Sequence, residues 1–258
     1  MNITAIVQAR IGSTRLPNKV LLDIAGKPML EHVFERLSQS SCLTHMVLAT
    51  TDNVNDQLLV DFANHLKISV VAGSENDVLS RYMLAAQSVS SDHIVRITSD
   101  CPLIEPTVID VMMKHHLEME ADYTSNVARR TFPRGLDVEI ISWSCLQEAS
   151  RSGTKPHHRE HVTPYIYENP ERFHLEDYEA QGLLRRPDLR LCVDTAEDLQ
   201  LMREIYSRFY VPDQIVPIGQ VIQWLDENPD WRMSNVASEE EHLKRNLSDG
   251  VQQNKVAI

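Results

Sequence analysis

At 258 residues the chain has room for one large α/β domain or a domain with an added lobe, and its 42% hydrophobic and 24% charged residues are those of an ordinary globular protein. That composition excludes a disordered chain, a collagen-like repeat and a disulfide scaffold. With 25 Lys and Arg against 37 Asp and Glu, the formal charge of −12 argues against general binding to nucleic acid or to an anionic membrane.

The stretch Met1 to Arg10 has no basic lead-in, and its apolar run stops too early for a signal peptide or a membrane span. Cys42, Cys101, Cys145 and Cys192 are scattered with no C-x-x-C pair, which points to a reducing cytoplasm. An apolar run over 3–7 predicts a strand, and 28–37 then sets Met29, Leu30, Val33, Phe34 and Leu37 on one helical face. Alternation continues: strand 46–49, helix 57–66, strand 68–71, helix 78–86, strand 94–97, and helix 106–116 opened by a proline. His115 and His116 near the end of that helix read as polar surface.

Such alternation predicts a Rossmann-like α/β fold, a mostly parallel central sheet with helices on both faces. From 122 to 190 the pattern loosens into an inserted substrate or dimerisation lobe, with strands at 138–141 and 173–175 and a helix over 159–167. A strand over 189–193 is expected to return to the core sheet, and helices over 196–210 and 215–228 close the domain. The domain is placed at 1–235 and a polar tail at 236–258, frayed or dependent on a partner.

In an open α/β sheet ligands sit at the carboxyl ends of the strands, so the chemistry is sought just after each one. The first strand leads into Ala9-Arg10-Ile11-Gly12-Ser13-Thr14-Arg15-Leu16-Pro17-Asn18-Lys19. Three cations, a glycine and two hydroxyls suit a polyphosphate, although neither a Walker A motif nor G-x-G-x-x-G is present. After the third strand Asp77 is a plausible helix cap, with Arg81 one turn on.

Two carboxylates from distant sequence also reach a strand end: Asp100 in Thr98-Ser99-Asp100-Cys101-Pro102, and Asp194 in Val193-Asp194-Thr195-Ala196-Glu197-Asp198. The pair suits a hard divalent cation when phosphates supply further ligands, while Asp194 alone could be a helix cap. The lobe carries Phe132-Pro133-Arg134-Gly135-Leu136-Asp137-Val138-Glu139 and His157-His158-Arg159-Glu160-His161. His157 and His161 could share a helix face, but without H-E-x-x-H the histidines read as surface or substrate contacts rather than zinc ligands.

In order and spacing these segments, together with Arg159-Glu160-His161-Val162-Thr163-Pro164-Tyr165, resemble the cytidylyltransferases that activate acidic sugars, of acylneuraminate and 3-deoxy-manno-octulosonate type. The branch most similar is the one of spore-coat polysaccharide biosynthesis. The resemblance spans about 3–210. It implies CTP and a small acidic sugar as substrates, a CMP-sugar as product, Mg2+ as cofactor and a homodimer.

By the same resemblance Arg10, Arg15 and Lys19 hold the triphosphate, with Ala9, Gly12, Ser13 and Ser99 in the nucleotide site and Asp77 and Arg81 near the base or ribose. Asp100 and Asp194 bind the metal. Arg134, Asp137, Glu139, Arg159 and His161 are the candidates for the sugar, with the arginines suited to a carboxylate. The lobe does not match the octulosonate enzymes, so the particular sugar does not carry over. Two other readings share the fold, a metal-dependent glycosyltransferase and a non-catalytic nucleotide-binding scaffold. The first usually wants a D-x-D pair, whereas Asp100 is followed by Cys101 and Pro102; the second predicts loss of the cations or carboxylates, and both are present.

Overall fold

The computed structural model describes residues 1–13 and 15–235; Thr14 and the expected polar tail lie outside them. Strand β1 (Ile3–Gln8) is followed by a 3-10 turn at Lys19–Leu21 and a small hairpin of β2 (Asp23–Ile24) and β3 (Lys27–Pro28). Then come α1 (Met29–Leu37), β4 (His45–Thr51), α2 (Gln57–His65), β5 (Ser69–Gly73), α3 (Val78–Ser88), β6 (His93–Thr98) and α4 (Pro106–Glu118). The remainder runs β7 (Tyr123–Ser125), β8 (Glu139–Ser142), α5 (Trp143–Ser152), α6 (Pro156–His161), α7 (Pro164–Tyr167), β9 (Leu175–Asp177), α8 (Ala196–Phe209), α9 (Ile218–Glu227) and α10 (Pro229–Met233).

Seven strands form one sheet in the order β5-β4-β1-β6-β8-β7-β9. All neighbours pair in parallel except β8, which opposes both β6 and β7. The inner strands β1 and β4 are buried on both faces, as strands between two helix layers require, while the edge strands β5 and β9 are only partly covered. Ala5, Val7, Val95 and Ile97 pack with α1, α2, α4, α8 and α9, while Ile6, Ile94 and Val47 face α3, α5 and α7. Among the described residues no helix is long and apolar enough to cross a membrane.

Segment 189–193 is not a sheet strand. Both edges of β6 are taken, one by β1 and the other by antiparallel β8, so the segment does not pair there. The segment is fixed instead by a bridge between Arg134 and Arg190 and by the bond from the Val193 N–H to the Asp100 carbonyl, 2.8 Å. Gly135 makes this possible. Its φ is +105°, and a Cβ there would lie 2.5 Å from the carbonyl carbon of Leu191. Gly135→Ala is therefore expected to cost about 3 kcal/mol or more, from backbone strain plus overpacking, read as a lower urea midpoint at unchanged m.

The expected helix over 159–167 is two helices, because Val162 turns the chain at φ 72° and Pro164 starts α7 afresh. The strand placed at 173–175 starts two residues later, with Phe173 packed into the core instead. Neither β7 nor α5 is expected from periodicity: one is three residues long, and the other is a polar segment capped by Ser142.

His116 is not surface but 1% exposed, with Nδ1 2.8 Å from Thr124 Oγ1 and Nε2 3.1 Å from His93 Nδ1. Burial, with His93, His115 and His174 adding to it, lowers its pKa from 6.5 to about 4. The folded state thus holds it neutral where an unfolded chain takes up a proton, so stability falls as pH drops from about 6.5 to about 4. The loss is on the order of 3 kcal/mol. The stability difference between wild type and His116→Gln, measured by urea unfolding across that window, should shift in the variant's favour as pH falls.

Candidate active site

The 3-10 turn after β1 projects Lys19 into the gap between the end of β6 and the 193–195 turn. Its Nζ lies 2.9 Å from Asp100 Oδ2, 2.9 Å from Asp194 Oδ1 and 3.0 Å from the Val193 carbonyl. Arg15 Nη2 donates to the same Asp194 oxygen at 2.8 Å. Burial works against the charge on Lys19, but the two carboxylates outweigh it and raise its pKa above the usual range. Burial likewise penalises the Asp100 carboxylate, and the Lys19 ammonium reverses the effect to hold it well below the carboxylate range. Asp194 is lowered too: burial and the neighbouring Asp100 charge oppose ionisation, while Lys19 and Arg15 favour it.

Asp194 is not the cap of α8. Thr195 takes that role in a capping box with Asp198, whose amide lies 3.3 Å from the Thr195 hydroxyl. Behind Asp194 stands Arg190, which donates to Asp194 Oδ2 at 2.8 Å and to Asp198 Oδ1 at 3.0 Å. Asp198 also accepts from the Asp194 amide, 2.9 Å, and from Asn235 Nδ2, 2.9 Å. With one oxygen of Asp194 fixed by Arg190, the other faces Lys19 and Arg15.

Two carboxylate oxygens converging on one cation are the donor chemistry a hard divalent ion takes. The residues that could hold such an ion are Asp100 and Asp194. An ion there would free Lys19 and Arg15 for phosphate oxygens.

The second group lies along the loops after β1 and β5. Arg10 Nη1 donates to Glu75 Oε1 at 2.7 Å, Asn53 Nδ2 to Glu75 Oε2 at 2.7 Å, and the Ile11 amide to Asp56 Oδ1 at 2.7 Å. Arg81, buried, holds the turn by donating to the carbonyls of Ser74 and Glu75. Asp77 caps α3 by accepting from the Ser80 amide at 2.9 Å, and its other oxygen receives Arg159 Nε at 3.0 Å. The Ala9 amide donates to the Ala49 carbonyl and Ser13 Oγ accepts from the Leu16 amide, 3.2 and 3.4 Å. A Cβ on Gly12 would meet nothing within 4 Å, and Ser99 is buried.

The residues expected at the sugar are spread over several elements. Arg159 sits on the α3 side with Asp77, and Asp137 is held by two bonds from Arg130 at 2.8 and 3.2 Å. Glu139, buried in β8 opposite Arg96 of β6, takes Arg96 and the Tyr123 hydroxyl. Arg134 lies at the bridge to Arg190, and His161 is exposed at the end of α6. Sequence reasoning missed Arg190, Asp198 and Asn235. The one signal was Asp198 itself, spaced four residues after Asp194 in a segment already singled out.

A Rossmann-like sheet with phosphate-suited cations after its first strand and two carboxylates facing them defines a protein of the nucleotidyltransferase class. A family model described as Cytidylyltransferase matches residues 4–223, and the chain belongs to the cytidylyltransferase family. It is 33% identical over 235 residues to the spore coat polysaccharide biosynthesis protein SpsF of Bacillus subtilis, covering 89% of this chain and 96% of that one. A 3-deoxy-manno-octulosonate cytidylyltransferase of Geobacter sulfurreducens is 39% identical over 110 residues, 43% of each chain. A solved cytidylyltransferase structure from Leptospira borgpetersenii superposes with a TM-score of 0.83 at 33% identity, over 90% of this chain and 97% of that one.

Proposed function

We propose that this cytidylyltransferase transfers CMP from CTP to the anomeric hydroxyl of a small acidic sugar, of ulosonic or nonulosonic type, for surface polysaccharide synthesis. The hydroxyl oxygen bonds to the α-phosphorus of CTP and gives up its proton to solvent, the bond from that phosphorus to the bridging oxygen breaks, and pyrophosphate leaves with the electron pair. The observation that carries the reading is Lys19 between Asp100 and Asp194 with Arg15 beside it. Magnesium held by Asp100 and Asp194 would supply charge neutralisation at the phosphates. Lys19, Arg15 and Arg10 would grip phosphate oxygens as they leave their carboxylate partners, which places positive charge where negative charge develops.

In this reading Asp77 and Arg81 would lie on the side of the base and ribose, and Arg159 and Arg134 would be the candidate partners of a sugar carboxylate. A cytoplasmic homodimer completes it. The test is pyrophosphate release from purified protein with each nucleoside triphosphate and a panel of sugar acids and neutral sugar phosphates. Release confined to CTP with a sugar acid is expected; equal release with neutral sugar phosphates, or with another triphosphate, would overturn the assignment.

A further inference from the structure

Among the described residues one set of three His, Cys, Asp or Glu side chains brings its donor atoms within 4.8 Å of one another: His157, His158 and Glu168. The left-handed turn at Val162 folds α7 back on α6, so that Glu168, the residue that follows α7, faces the first turn of α6. His157 Nε2 lies 2.8 Å from Glu168 Oε1 and His158 Nε2 lies 2.9 Å from Oε2. The two rings meet edge to face, with centroids 4.3 Å apart. Both imidazoles thus offer the same nitrogen to one carboxylate.

We propose that His157, His158 and Glu168 form a zinc site that fastens α6 to the end of α7. Two histidines and one glutamate are a donor set that zinc takes in a tetrahedral arrangement, with water in the fourth position. Imidazole donors favour zinc, and with it cobalt and nickel, over magnesium and calcium, which prefer all-oxygen sites. His158 is buried, whereas the side chains of His157 and Glu168 are 40% and 31% exposed, so the site opens to solvent on one side.

Two contacts yield when the ion enters. Lys155 Nζ lies 3.6 Å from Glu168 and, being 63% exposed, swings away. The Lys155 amide is 3.4 Å from His158 Nδ1, a contact at the outer limit of hydrogen bonding, and it is given up when that nitrogen carries the ring proton. The site shares no residue with the Lys19 cluster and stands whether or not the chain makes a CMP-sugar. Its consequence is local: α6 carries Arg159, which reaches Asp77 at the start of α3.

The test uses the full chain, stripped of metal and held in excess magnesium so that hard oxygen sites are filled. Zinc is titrated calorimetrically, and cobalt serves as the spectroscopic probe. Expected are one zinc per chain, the visible absorption of four-coordinate cobalt, and a zinc-dependent rise in Tm. His157→Gln and Glu168→Gln should each weaken zinc binding at least tenfold and abolish the cobalt spectrum, while far-UV circular dichroism stays that of the wild type. No saturable zinc binding in the wild type, or binding that both variants keep within tenfold, would overturn the site. His157 is the more exposed histidine, so its variant tests the ligand without removing core packing.

Discussion

Lys19→Met should lose about 100- to 1000-fold in CTP-dependent turnover, the range found when one preorganised donor to a developing negative charge is removed. The side chain keeps an unbranched apolar stem as far as Cε, so the change is centred on the ammonium that lies 2.9 Å from both Asp100 and Asp194. A second readout separates this role from a structural one. With the ammonium gone, Asp100 loses its cation while Asp194 keeps Arg15 and Arg190, and a divalent cation can take the vacated place between the two carboxylates. Magnesium should therefore raise the Tm of the variant by more than it raises that of the wild type. Near-normal turnover in the variant would remove Lys19 from the phosphate site. A smaller magnesium shift than in the wild type would show that the ion does not share the two carboxylates with it.

Strands β1, β4, β5 and β6 and helices α1 to α4 were legible from apolar runs and periods that end on polar loops, whereas the β2–β3 hairpin, with two residues to a strand, was not. Beyond α4, periodicity still gave β8, α8 and α9 but carried no information about which strands pair. The burial of Glu139 depends on Arg96 standing opposite it in an antiparallel register that spans 43 residues. Segment 189–193 reads as a strand from its Leu-Arg-Leu-Cys-Val alternation, yet the edge it would need belongs to β8.

For the site, charges that cluster in one loop could be seen, as could a carboxylate just after a strand. Invisible was the division of labour around Asp194. Sequence allows it to be a cap or a charge partner, and the hydroxyl of Thr195 one residue on decides between them. Arg190 was hidden for the opposite reason: an arginine inside an apolar run looks like the solvent-facing residue of a strand, while its guanidinium in fact turns inward to two aspartates.

Arg190→Met should cost about 3–5 kcal/mol of stability at neutral pH, the penalty for removing one partner of a buried ion pair. Around the site three cations, Arg15, Lys19 and Arg190, face three carboxylates, Asp100, Asp194 and Asp198, so the group is balanced only as a whole. Asp198 is 1% exposed and has no route to solvent once its guanidinium is lost. Amide donors remain at the Asp194 and Thr195 nitrogens and at Asn235, which keep it hydrogen-bonded but do not neutralise it. Arg190→Met combined with Asp198→Asn removes the unpaired charge and keeps an acceptor for those amides. The double variant should therefore be more stable than Arg190→Met alone by at least about 1 kcal/mol, a coupling that independent sites do not show. Lys114→Ala provides the contrast: its pair with Glu118 spans 3.7 Å on open surface, and its loss should move the urea midpoint hardly at all. If Arg190→Met unfolds at the wild-type midpoint, the 189–195 segment is held by its backbone bonds to Arg134 and Asp100, and the buried charges serve only to aim Asp194.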